Sequence, residues 1–213
     1  MKCKICGKEY KRKTCEFCER EKKWKETRDK FRKEIFPPRL IQDLQSPNLI
    51  IPIFISRLVK MKREKQSIYI HGITGSGKTV FAGLLLEEWK KIYFLENQSL
   101  NTHFISVPLL LGNLRNTFSE KSESTEMDLI TFYSQVDKLI LDDLGTEKSS
   151  DWALQSLYII INNRYENLKP TVFTSNFNLD QLAEKLGDDR IPSRIHSMCH
   201  IHQLKNEDRR LAE

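Results

Sequence analysis

Within this 213-residue chain, the eight residues Gly72, Ile73, Thr74, Gly75, Ser76, Gly77, Lys78 and Thr79 satisfy G-x-x-x-x-G-K-[ST] at every fixed position. This is the chemistry of holding a phosphate chain. The glycines permit a tight backbone that approaches an anion closely, and successive N–H groups point inward as a nest. A helix that starts at Lys78 offers the positive end of its dipole to the same phosphates. Lys78 then reaches the β- and γ-phosphates, and the Thr79 hydroxyl sits on Mg²⁺. All eight residues are candidate nucleotide ligands.

A second acidic element stands 63 residues after Thr79, where the apolar run Leu139-Ile140-Leu141 ends in Asp142 and Asp143. A buried parallel strand delivers side chains at its C-terminal edge, where ligands bind in open α/β sheets. Asp142 is placed to hold Mg²⁺, directly or through water, opposite Thr79. Asp143 is placed to polarise the water that attacks the γ-phosphate. An acid pair that merely caps the next helix would look the same out of context, but here it follows a complete phosphate loop. Thr171–Asn176 is another β-rich run ending in polar residues. If its strand neighbours the one carrying Asp142, Asn176 points into the same crevice to orient water or sense the γ-phosphate; Ser-Asn is also ordinary turn chemistry.

A third constellation lies near the start, where Cys3-x2-Cys6 and Cys15-x2-Cys18 bracket eight residues. Four thiolates so spaced suit one tetrahedral Zn²⁺, with Gly7 after the first pair. Disulfides fit poorly with a leaderless chain in a reducing compartment. So short a segment has almost no core, and the metal would hold its fold together. Cys199, in an apolar-alternating stretch, reads as a core residue.

Strands that alternate with helices position these groups. The strands fall at Ser67–Gly72, His103–Val107, Lys138–Asp142, Thr171–Ser175 and Met198–Gln203. The helices fall at Asn48–Glu64, Lys78–Lys91, Leu109–Ser119, Met127–Gln135, Asp151–Asn167, Leu179–Leu186 and Ile191–His196. The pattern predicts an α/β fold whose parallel sheet lies between helices. Ahead of it, Glu19–Phe36 reads as a charged helix with a thin stripe of Trp24, Phe31 and Ile35, ended by Pro37-Pro38. That stripe could dock on the zinc module, the main domain or a partner, or belong to a solvated connector. The expected organisation is a zinc-binding module over 1–20, a basic helical linker over 21–38 and an ATPase domain over 39–213.

Charge is distributed unevenly. Residues 1–39 hold 15 Lys and Arg against 7 Asp and Glu, while the remainder holds 20 against 22. The basic excess favours a nucleic-acid or acidic-protein contact at the N-terminal end, although a solvated lysine-rich helix has the same composition. No apolar run approaches about 18 residues and no signal-peptide core is present, which implies a soluble, cytoplasmic protein with no membrane partner.

The run LILDDLGTEKSSDWALQSLYIIINNRYE, followed by PTVFTSN and LGDDRIPSRI, resembles the DnaC/DnaI-type replicative helicase loaders and their relative IstB, which assists transposition. The resemblance extends from Phe36-Pro37-Pro38-Arg39 to Arg210 and is most specific at Asp142-Asp143-Leu144-Gly145-Thr146-Glu147. It implies an AAA+ P-loop ATPase with the Walker B acids at Asp142 and Asp143 and sensor 1 at Asn176. It places an arginine finger, donated to a neighbouring subunit, at Arg190, with Arg194 as a secondary candidate. The sensor 2 arginine falls at Arg210, with Arg209 beside it. On the residues alone, Arg190 and Arg194 would read as a helix surface pairing with Glu184, Asp188 and Asp189. The implied function is ATP-dependent loading of a replicative hexameric helicase onto single-stranded DNA, with self-association through the ATP site. The alternative is an IstB-like transposition helper acting with duplex DNA and a transposase.

Overall fold

Alternating apolar residues in each strand divide the interior into two cores, one on either face of a sheet. The computed structural model describes residues 16–46, 67–119, 122–146 and 150–204. Five parallel strands, β1 (Ser67–His71), β2 (Thr102–Ser106), β3 (Lys138–Leu144), β4 (Thr171–Ser175) and β5 (Cys199–Gln203), form one sheet in the order β2-β3-β4-β1-β5. Successive strand residues face opposite sides. Tyr69, Leu139, Leu141 and Phe173 therefore pack on one face, and Ile68, Ile70, Ile140 and Val172 on the other.

The first face is covered by α4 (Val107–Asn116), α5 (Glu126–Gln135), α6 (Asp151–Glu166), α7 (Leu179–Leu186) and α8 (Arg190–Met198). The second is covered by α1 (Glu16–Ile35), α2 (Pro38–Gln45) and α3 (Lys78–Leu95). The five expected strands are present to within a few residues at each end. The expected helix over Asn48–Glu64 lies outside the described residues. Pro37-Pro38 ends α1 as expected, but Pro38 also opens α2, because proline suits the first turn of a helix, where its missing N–H has no partner to lose.

Of the destinations open to the α1 stripe, the structure selects the main domain. Trp24, Phe31 and Phe36 are buried with Phe81, Leu85, Trp89 and Phe104. Arg32 and Glu87 form a bidentate buried pair at 2.7 and 3.1 Å, and Leu40 of α2 lies against Gly83 of α3. Arg20 donates to the Leu95 carbonyl at 2.9 Å, which fastens the start of α1 to the far end of α3. Cys18 lies in the first turn of α1 and is buried; Cys3, Cys6 and Cys15 lie outside the described residues. Among the described residues no group of three or more His, Cys, Asp or Glu side chains is arranged to hold a metal. None of the described helices is long and apolar enough to cross a membrane.

Candidate active site

The loop Gly72–Gly77 runs from the C-terminal end of β1 to the first turn of α3. At two of the loop's glycines the reason a side chain is disfavoured can be read directly. Gly77, the residue preceding α3, has φ +90°, in the left-handed region that side chains disfavour. At Gly72 a Cβ would lie 2.4 Å from the carbonyl oxygen of Leu204. Gly77, at the N-cap of α3, has no side chain with which to cap the helix. The Ser76 hydroxyl is buried without a hydrogen-bond partner among the described residues. Lys78 is buried and donates to the carbonyls of Gly72 at 2.9 Å and Ile73 at 2.7 Å, so its ammonium lies in the concavity of the loop. Amides at a helix N-terminus, an unsatisfied hydroxyl and a buried ammonium form the donor set a phosphate chain requires.

β3 brings the acids to this loop. Leu141 pairs with Phe173 and Leu144 with Ser175, so three steps along β3 match two along β4. The extra residue is a bulge, a device that re-aims side chains at strand ends. Within it Asp143 has φ +59°, a left-handed conformation that non-glycine residues seldom adopt. Asp142 is buried, and its carboxylate accepts the Thr79 hydroxyl at 3.0 and 3.2 Å, which joins residues 63 apart in sequence. Burial pushes the Asp142 carboxyl up to about 6, with the Asp143 charge adding to the rise. Hydrogen bonds from Thr174 and Thr79 and the charge of Lys78 oppose it. A hydroxyl and a destabilised carboxylate side by side are oxygen ligands that fit a hard divalent cation. His71, beside the loop, is held below its ordinary range by burial and by the Lys78 charge.

The remaining candidates are dispersed. β4 does neighbour β3, the condition on which Asn176 was expected to share the crevice, and Asn176 directly follows β4, half-buried. The β4 residue that touches the acids is instead Thr174, whose hydroxyl donates to Asp142 Oδ1 at 2.6 Å and accepts the Asp143 N–H at 3.0 Å. The signal for it was present in TVFTSN: Thr174 is two residues from the buried Val172 and so faces the same side. Arg190 opens α8 on the surface, gripped by Asp188 through Nε at 3.0 Å and Nη2 at 2.7 Å and lying 4.9 Å over the Tyr158 ring. These bonds hold the Asp188 carboxyl below its ordinary range. Arg194, one turn on, donates from Nε to Asn162 at 2.8 Å and lies 5.0 Å over Tyr165. Arg209 and Arg210 lie outside the described residues.

Comparison with known proteins extends the geometric reading. The uncharacterized protein YqaM of Bacillus subtilis (strain 168) is 27% identical over 146 residues, covering 66% of this chain and 43% of its own length. The replicative helicase loader DnaC of Escherichia coli (strain K12) is 26% identical over 129 residues, 61% of this chain and 49% of that protein. The chain thus spans about half the length of the curated relatives it matches. The crystal structure of the DnaC helicase loader superposes with a TM-score of 0.64 at 25% identity, covering 79% of this chain and all of that one. The fold is therefore AAA+. A family model described as "IstB-like ATP binding protein" matches residues 21–213. With a glycine-rich loop, a helix N-terminus and a Thr–Asp contact assembled at one sheet edge, and that match across most of its length, the chain belongs to the IstB-like ATP-binding protein family.

Proposed function

We propose that this chain is an ATP-hydrolysing loader that delivers a replicative hexameric helicase onto single-stranded DNA. The observation that carries the enzymatic part is the 3.0 Å contact between Thr79 and Asp142 beside the phosphate loop. It supports a single site for a triphosphate and its metal. In this reading Gly72–Thr79 cradles the phosphates and Lys78 binds the β- and γ-oxygens. Thr79 and Asp142 hold Mg²⁺, which when bound neutralises charge on the phosphate oxygens. Asp143, turned out of the strand alternation by the bulge, accepts the proton of the attacking water, and Asn176 orients that water. Arg210 contacts the same nucleotide from the C-terminal segment.

Arg190 supplies positive charge to the nucleotide of a neighbouring copy, so turnover requires assembly. Its exposed position supports donation to another molecule, and its bonds to Asp188 must yield when it is donated. Cys3, Cys6, Cys15 and Cys18 bind Zn²⁺ in a module which, with the basic segment after it, grips the helicase. The resemblance to DnaC supports the loader role. The decisive experiment retrieves partners with the Lys78→Ala protein and measures turnover with single-stranded DNA. A hexameric helicase among the partners and DNA-stimulated hydrolysis by the wild type are expected; absence of both refutes the loader role.

The match to an IstB-like ATP-binding family supports a second reading through the resemblance to IstB, a transposition helper that acts with duplex DNA and a transposase. Stimulation by duplex DNA with a transposase, and no association with a helicase, would select it.

A further inference from the structure

Thr174 is hydrogen-bonded to both acids of β3. It lies in β4, the strand between the one that leads into the phosphate loop and the one that carries Asp142, and it pairs in register with Ile70. Its side chain is fully buried. A threonine hydroxyl has one hydrogen to donate, and here it goes to Asp142 Oδ1 at 2.6 Å; the lone pairs accept the Asp143 N–H at 3.0 Å. A continuous hydrogen-bonded chain therefore runs from the Asp143 amide through Thr174 to the Asp142 carboxylate, each link polarising the next. The Asp143 amide belongs to the left-handed residue of the bulge, so the same hydroxyl also pins that turn. Thr79 reaches the same carboxylate oxygen at 3.0 Å, but from the half-buried first turn of a helix, whereas Thr174 is fixed in an interior strand.

We infer that Thr174 is a positioning residue for the metal that accompanies the nucleotide: its hydroxyl aims the Asp142 carboxylate and holds the Asp143 turn. This rests on the Mg²⁺–ATP reading above. Phosphate binding by the loop and Lys78 does not pass through Thr174, so removal of the hydroxyl separates metal-dependent from metal-independent affinity. Outer partners of metal ligands contribute about 10–100-fold to metal affinity.

The test measures the Kd of a fluorescent ATP analogue in EDTA and in excess Mg²⁺ for wild type, the isosteric Thr174→Val and the hydroxyl-retaining Thr174→Ser. Thr174→Val is expected to match wild type in EDTA and to lose about tenfold or more of the strengthening that Mg²⁺ brings, while Thr174→Ser retains it. An undiminished Mg²⁺ effect in Thr174→Val, or an equal loss in Thr174→Ser, overturns the inference. If melting curves show that Thr174→Val does not fold, Thr174→Ala against Thr174→Ser makes the same comparison of hydroxyl absent and present. Wild-type protein that binds no analogue in either condition refutes the ATP reading itself, a result distinct from loss of the Mg²⁺ effect in one variant.

Discussion

Replacing Asp142 with Asn is expected to stabilise the nucleotide-free protein at neutral pH while abolishing its Mg²⁺-dependent turnover. Burial raises the Asp142 carboxyl from its ordinary 3.8 to about 6. At about 1.4 kcal/mol per pH unit, that difference corresponds to about 3 kcal/mol. The sign follows from proton binding. Below 3.8 the carboxyl is protonated in both folded and unfolded chains and contributes no difference. Between 3.8 and about 6 the folded chain keeps a proton that the unfolded chain releases, so stability falls as pH rises. Above about 6 both are ionised and the folded state bears the full cost of a buried charge. Asn is neutral at every pH and retains a carbonyl oxygen for the hydroxyls of Thr79 and Thr174.

The advantage of Asp142→Asn should therefore be about 3 kcal/mol at pH 7.5 and shrink to about 1 kcal/mol at pH 4.5. For a chain of this size the former is about 6–12 °C in Tm. The assay is thermal or urea unfolding in EDTA, without nucleotide, at both pH values, paired with an ATPase measurement in Mg²⁺. An Asn variant no more stable than wild type at pH 7.5, or one whose advantage is the same at both pH values, refutes the reasoning that the Asp142 carboxylate is a buried charge its partners only partly compensate.

Lys78→Ala should lose ATP binding by calorimetry or fluorescence, because the loop's buried ammonium is gone; retained tight binding would overturn the assignment of the loop. Arg190→Ala should bind ATP like wild type yet lose turnover, and mixing it with Lys78→Ala should restore part of the activity. Failure of the mixture to regain activity argues against donation between copies. Arg32→Met should cost about 3–5 kcal/mol in urea unfolding by leaving Glu87 buried without its principal partner, and adding Glu87→Met should recover much of the loss. An Arg32→Met chain as stable as wild type would mean that α1 docks without the pair. Metal analysis should find about one zinc per chain, released by Cys3→Ser with ATP binding intact; a folded wild-type protein without zinc ends that proposal.

Much of this molecule is legible in local sequence because its signals are short-range. The loop at Gly72–Thr79 depends on glycines and a lysine within eight residues, so spacing alone placed its strand-to-helix turn. The strands follow from alternating or continuous apolar runs, each bounded by turn residues, and the parallel sheet follows from their alternation with helices. The acids at the end of β3 were visible because a buried strand that stops in carboxylates has few other uses beside a phosphate loop.

What only the tertiary structure decided are the contacts between residues distant in sequence. Whether the α1 stripe met the domain, another module or solvent depended on the apolar side of α3, which periodicity in α1 cannot reveal. Arg164 lies in the last turn of α6 between Asn163 and Tyr165, and no local rule marks it as fully buried. It is satisfied there because the carbonyls of Tyr133, Ser134, Val136 and Pro170 and the Thr171 hydroxyl converge on it from separate elements. Thr174 is ordinary for a strand until strand order sets β4 between β1 and β3 and a bulge turns the Asp143 amide toward it. Phosphate-binding chemistry is encoded in consecutive residues, whereas the orientation of a buried carboxylate is set by whichever side chains folding brings within about 3 Å of it, and those come from different strands.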